Sequence, residues 1–280
     1  MFSQKVLEIP NTLKLLSTCW IEAEKSLRDD VNNIYPEADE EFITKFFHGK
    51  YSAVLKIVSE MKLIEKAFLD DLRNAFPDLN VELNKIANGL IAEFSLHNLA
   101  TERITGGDIG LLIIRPNILQ EDNYLKVFDH RSGLLCQAKL KNSRGSWGLL
   151  TKNQINRLQD KLSYLTLLLY SYRDLERRSL NPFKWKDCNS AKNINEVQEW
   201  LKKDKFTDLL KSDDIILKLG YDKIGTNNDE VIDRYISPEK NPVLIIRVTW
   251  TDKKPPLSKV HIVNKNSVQR RQKVQIYLNG

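Results

Sequence analysis

The stretch 133-GLLCQAKL-140 alternates between two kinds of side chain. In an extended chain Leu134, Cys136, Ala138 and Leu140 fall on one face, and Leu135, Gln137 and Lys139 on the other. One face is wholly apolar; the other sets an amide and an ammonium two positions apart. Two structures fit this pattern: an inner hairpin strand that carries a site, or an edge strand with one solvated face. The surrounding sequence decides between them.

Upstream, 105-TGGDIGLLIIRP-116 joins two glycines to a nearly continuous apolar run, Ile109 to Ile114, which predicts a tight turn into a central strand. Asp108 opens that strand, either as a functional acid or as a cap on its own turn. If the two strands pair, Asp108, Gln137 and Lys139 converge. Further upstream, 81-VELNKIANGLIAEFSLHNLA-100 places Ile86, Leu90, Glu93 and His97 at spacings of four, three and four, which predicts a helix with an acid on its apolar stripe. A buried carboxylate needs a cation, a metal or a donor beside it. Glu93 either has such a partner or sits at the solvated margin of the stripe. Glu102, six residues before Asp108 on a preceding strand or turn, is the alternative acid.

A helix with an acid, a strand opened by Asp, and a following strand with Gln-x-Lys resembles the PD-(D/E)xK nuclease superfamily, in the variant where Gln replaces the first acid of the last motif. The segment 152-KNQINRLQDKLSYLTLLLYSYRD-174, read as a helix with a polar N-terminal half, resembles the helix that follows the xK strand there. The likeness spans residues 80 to 175, about a third of the chain, and its motif is short. It implies Glu93, Asp108, Gln137 and Lys139 as catalytic residues. It also implies a Mg²⁺ or Mn²⁺ ion held by Asp108, Glu93, the Gln137 amide oxygen and the Ala138 backbone carbonyl. Such an ion neutralises charge developing on the phosphate and activates water, while Lys139 orients that water or stabilises the transition state. Gln in place of an acid removes a negative charge and weakens the cation site.

Composition is consistent with this. The 280 residues are 41% hydrophobic and 29% charged, a globular balance. No apolar run approaches the roughly 18 residues of a membrane span, and the N-terminus lacks the order of a secretory signal, so a cytoplasmic location is expected. Three scattered cysteines, Cys19, Cys136 and Cys188, offer neither a disulfide framework nor metal-ligand spacing. The net charge of +6 favours a polyanionic partner. Seven basic residues in 252–280, Arg270 and Arg271 among them, face a single acid, Asp252; this end contacts phosphates or forms a solvated hairpin surface. Lys141, Arg144 and Trp147 in 141-KNSRGSWG-148 form a basic-aromatic loop suited to a DNA backbone or base, and Gln154 stands within reach of a phosphate. No P-loop, dinucleotide fingerprint or Ser-His-Asp order is present, which argues against NTP hydrolysis.

The expected fold is α/β in the α+β sense: a restriction-endonuclease-like core at 81–178, with a mixed β-sheet flanked by helices, a helical region at 1–80, and a C-terminal α/β region at 179–280 with a basic end. The expected function is a metal-dependent DNA endonuclease in restriction or anti-phage defence. The alternatives are a catalytically inactive nuclease-like module that binds nucleic acid or a partner protein, and an effector silent without an ATPase or sensor subunit recruited by residues 1–80. Cutting both strands of a duplex favours a homodimer.

Overall fold

The computed structural model describes residues 4–5, 7–33, 38–77, 81–83, 89–121, 124–142, 144–174, 179–238, 242–250, 259–263 and 274–276. Helix α1 (Pro10–Asn33) starts on a proline, whose fixed φ and missing N–H suit a first helical position. Its next amides are capped from a distance: Asp71 accepts from Asn11 N–H at 3.1 Å, Thr12 N–H at 2.9 Å and the Thr12 hydroxyl at 2.7 Å. Helix α2 (Glu40–Glu60) is capped by Asp39, which accepts from Phe42 N–H at 2.8 Å, and Glu40 and Glu41 place negative charge at its positive end. Helix α3 (Leu63–Ala75) supplies Asp71.

The sheet contains β1 (Leu90–Leu96), β2 (Ile109–Glu121), β3 (Tyr124–Leu140), β4 (Leu165–Tyr170), β5 (Lys184–Asp187), β6 (Leu210–Lys211) and β7 (Pro242–Ile246), in the order β6-β5-β4-β3-β2-β1-β7. Neighbours are antiparallel except β3 and β4, which are parallel. Gln4–Lys5 adds to β2, and Lys259–Val263 runs parallel to the start of β3 with Val274–Ile276 beside it. This is a mixed sheet flanked by helices, an α+β architecture. Strands from all three stretches of the sequence share the one sheet.

Side-chain alternation divides the core. Phe94, Leu111 and Leu134 face α1, α2 and α3, where Trp20 lies 4.7 Å from Phe47, 5.5 Å from Phe94 and 5.7 Å from Trp185 between ring centroids. Helix α7, the residues Ser212–Gly220, packs on the same side. Leu112, Leu135, Leu165, Leu167 and Leu169 face the other way, against α5 (Lys152–Leu158), α6 (Ile194–Lys203) and the π-turn Ile232–Ile236. No helix among the described residues is long and apolar enough to cross a membrane.

Several expectations are corrected. The stretch 81–100 is not one helix: Leu90–Leu96 is strand β1, and helix α4 (Leu99–Thr105) starts only after Asn98 caps it. A four-residue spacing is also an even one, so Leu90, Ala92 and Phe94 line one face of a strand as readily as a helical stripe. The expected helix 152–174 ends at Leu158, and Leu165–Tyr170 is a fully buried strand parallel to β3; a short continuous apolar run suits a buried strand or a buried helix equally. Strand β3 runs unbroken through 129-DHRSG-133, a stretch whose Asp, Ser and Gly suit a turn equally well. The apolar stretch 243-VLIIRVTW-250 forms no single buried strand: Pro242–Ile246 is an edge strand with Ile245 49% exposed, followed by Val248–Trp250.

Candidate functional site

The site lies where β2 stops and β3 continues. The first register pair is Ile109 with Cys136, and Asp108 N–H reaches the Cys136 carbonyl at 2.8 Å. Beyond it, Gln137, Ala138 and Lys139 stay paired with β4 but have lost β2 from their other flank. Asp108 is delivered there by α4, whose C-cap Gly106 takes a φ of +79°, a left-handed conformation that glycine adopts without strain.

Asp108 bends over the uncovered flank. Its Oδ2 accepts from Ala138 N–H at 2.7 Å and from the Gln137 side-chain amide. In a strand the N–H and C=O of one residue point to the same side, so the Ala138 carbonyl also faces this opening. Lys139, 5% exposed, has Nζ 3.6 Å from Glu40 Oε1, and the other Glu40 oxygen accepts from Leu140 N–H at 2.8 Å. Glu40, Glu102, Asp108, Ala138 and Gln154 line a common cavity of about 840 Å³.

The electrostatics are those of crowded acids. Burial pushes the Asp108 carboxyl up to about 7; Lys139 opposes this, Glu40 and Glu102 add to it, and the Ala138 N–H opposes it. Burial likewise raises Glu40 above its ordinary range, against the pull of Lys139 and the Leu140 N–H. A divalent cation would relieve both. Carboxylates of Glu40, Glu102 and Asp108 are among the groups that line it, and with the Ala138 carbonyl they are the hard donors that Mg²⁺ and Mn²⁺ take. Among the described residues no three His, Cys, Asp or Glu side chains form a ready cation cage, so such an ion would depend on two carboxylates, the carbonyl and water.

Glu93 does not belong here. It lies on β1, paired in register with Leu112, four strand residues from Asp108 or about 13 Å along the strand. It is 8% exposed and its Oε2 accepts from the Ser237 hydroxyl, so its buried charge finds a donor of the kind burial demands. Glu102 sits on helix α4 rather than on a strand or turn, and it does line the cavity. The residue that sequence reasoning missed is Glu40, the first residue of α2. Its signal was present in 39-DEEFITKFF-47, a capping Asp followed by two acids at a helix start, but nothing local links it to Asp108.

The remaining candidates divide. Gln137 is fully buried, and its oxygen accepts from Gln154 Nε2 at 3.3 Å, so the amide presents nitrogen rather than oxygen to Asp108. Gln154 is engaged with Gln137 and its own helix cap. Lys141 pairs with Asp204 at 2.5 Å, and Trp147 bonds the same carboxylate at 2.6 Å while packing on Phe206, so the loop is tied down and not a free arm. Arg144 is exposed near its tip. His97 lines the cavity, but its ring nitrogens lie 2.9 Å from the Gly107 carbonyl and 3.2 Å from the Ile236 carbonyl. Lys161 is 4% exposed, its ammonium over the Tyr235 ring. His130 bonds Asp222 at 2.7 Å, away from the cavity. Arg270 and Arg271 lie outside the described residues. No family model, no curated protein and no solved structure matches this chain.

Proposed function

We propose that the protein is a metal-dependent DNA endonuclease of the PD-(D/E)xK kind, with Mg²⁺ or Mn²⁺ as its cofactor, working in the cytoplasm in restriction or anti-phage defence. The observation that carries this reading is the convergence of Glu40 and Asp108 on one cavity at the open end of β3, with Lys139 paired to Glu40 at 3.6 Å although 99 positions separate the two. An acid on a helix that precedes the sheet is what the resemblance asks for, and Glu40 fills that place instead of Glu93.

In this reading Asp108, Glu40 and the Ala138 carbonyl hold the ion. The ion supplies charge neutralisation at the phosphate and a lowered pKa for water. Glu40 pairs with the Lys139 ammonium at 3.6 Å, and that ammonium stabilises negative charge developing on the phosphate oxygens. Arg144, near the tip of its tied loop, contacts backbone phosphates. A second copy of the chain would bring a second site for the other strand.

A second reading has its own observation. Two donors already cover Asp108 Oδ2 and Lys139 is paired with Glu40, as in a nuclease-like fold that only binds nucleic acid or a partner. An effector silent until an ATPase or sensor subunit joins it would look the same. Supercoiled plasmid with Mg²⁺ or Mn²⁺ separates these: nicking by wild type, lost with EDTA, Asp108→Ala, Glu40→Gln and Lys139→Ala, supports the nuclease. An inert wild type with either ion removes it for the chain on its own.

A further inference from the structure

The orientation of a side-chain amide is fixed by its neighbours, and here the chain of neighbours starts at a backbone N–H, which can only donate. Thr151 caps helix α5, and its N–H donates to Gln154 Oε1 at 3.0 Å while Gln154 N–H donates back to the Thr151 hydroxyl at 3.2 Å. This capping box leaves Gln154 only its Nε2 for the sheet. That nitrogen donates to Gln137 Oε1 at 3.3 Å, so Gln137 Nε2 must face Asp108 Oδ2, where a carboxylate requires a donor. Both ends of the chain demand the same orientation. Gln137 has no exposed surface through which solvent could satisfy the reverse one.

We infer that Gln154 is a positioning residue that locks Gln137 as a hydrogen-bond donor to Asp108, so that the site takes a divalent cation through Asp108 Oδ1, Glu40 and the Ala138 carbonyl without the Gln137 oxygen. The cation rests on the nuclease reading; the amide relay does not. Oδ2 carries both donors, and among the described residues no donor reaches Oδ1, which is the oxygen left for an ion. Gln in place of an acid is then not a weakened ligand. It holds one carboxylate oxygen still so that the other is presented to the cavity.

The test uses the full chain, Mn²⁺ calorimetry, and the side-chain NH₂ resonances of metal-free protein. Gln137→Met keeps length and burial but cannot donate or ligate. The Ala138 N–H still holds Asp108 Oδ2 in this variant, so losing the Gln137 donor costs at most about threefold in Mn²⁺ affinity, whereas loss of a metal contact costs about 10- to 100-fold. Gln154→Glu preserves the Thr-x-x-Glu capping box but turns an acceptor toward Gln137 Oε1. The amide then rotates, its oxygen joins Asp108, and Mn²⁺ binds about tenfold more tightly. In metal-free protein the Gln137 NH₂ pair, assigned by its loss in Gln137→Met, moves in Gln154→Glu. A tenfold loss in Gln137→Met, or an unmoved Gln137 NH₂ pair in Gln154→Glu, overturns the inference. If wild type neither binds Mn²⁺ nor cuts DNA, the nuclease reading falls, and the NH₂ pair alone decides the relay.

Discussion

Replacing Asp108 with Asn should stabilise the metal-free protein, and by an amount that grows with pH. The folded chain raises this carboxyl from 3.8 to about 7, through burial and the nearby Glu40 and Glu102 charges. A raised acid binds its proton more tightly folded than unfolded, so its contribution is most favourable below about 3.8 and is lost as pH rises to about 7. Each pH unit between those values is worth about 1.4 kcal/mol. The full penalty at pH 8 approaches ~4 kcal/mol, and the partial exposure of Asp108 at the cavity wall reduces it to about 2–4 kcal/mol. Asn escapes the penalty while its Oδ1 still accepts from Ala138 and Gln137, because both donors already share a single oxygen. At roughly 2 °C per kcal/mol for a chain of this size, Asp108→Asn should melt about 4–8 °C above wild type at pH 8 in EDTA, and within about 2 °C of it at pH 4.5. Thermal melts by circular dichroism at both pH values measure this. A difference that does not change with pH, or a variant less stable than wild type at pH 8, refutes the account of this carboxylate.

Four other outcomes follow from the geometry. Glu40→Gln should weaken Mn²⁺ binding by about 10- to 100-fold with melting little changed, read by calorimetry; unaltered binding would remove Glu40 from the site. Asp71→Ala, which strips the cap from α1 and leaves Thr12 without its buried partner, should cost about 2–4 kcal/mol in urea unfolding. Gly110→Ala would put a Cβ 1.7 Å from the Ile236 carbonyl, so it should destabilise by about 1–3 kcal/mol and loosen hydrogen-exchange protection around Ile232–Ile236. Arg144→Ala should lower DNA affinity about equally across sequences and reduce the slope of log affinity against log salt by about one, measured by fluorescence anisotropy.

The parts of this structure that were legible are those whose cause is local. The Gly-Gly-Asp turn and the apolar run after it announce β2, and the alternation from Leu134 to Leu140 announces the end of β3 with Gln137 and Lys139 on a common face. The helices of the first 75 residues follow from their three- and four-residue spacing. What was not legible depends on distance or on ambiguity of period. Strand β1 was read as a helix because Leu90, Glu93 and His97 satisfy a helical spacing while Leu90, Ala92 and Phe94 satisfy a strand's. The all-apolar Leu165–Tyr170 carries no period at all. Glu40 meets Lys139 across 99 positions, a contact that no window of sequence contains. The direction of the Gln137 amide is set by Gln154 and Thr151, so its chemistry was readable in kind but not in orientation.

That orientation bears on why the position holds an amide. A carboxylate at 137 would lie in a site with no solvent exposure, against the Oδ2 of an acid already pushed up to about 7. Two carboxylates in contact cannot both ionise, so one would retain a proton at neutral pH, and a cation would have to displace it before binding. The amide removes that competition. It supplies a donor where an acid would supply repulsion, and it leaves Asp108 and Glu40 among the charges that line the cavity, with Lys139 3.6 Å from Glu40. A cation would then be attracted by fewer negative charges, but those charges would be more fixed in place. In the proposed nuclease reading, the Gln-x-Lys strand would exchange some attraction for a site assembled before the ion arrives, the condition under which electrostatic groups act most effectively on a transition state.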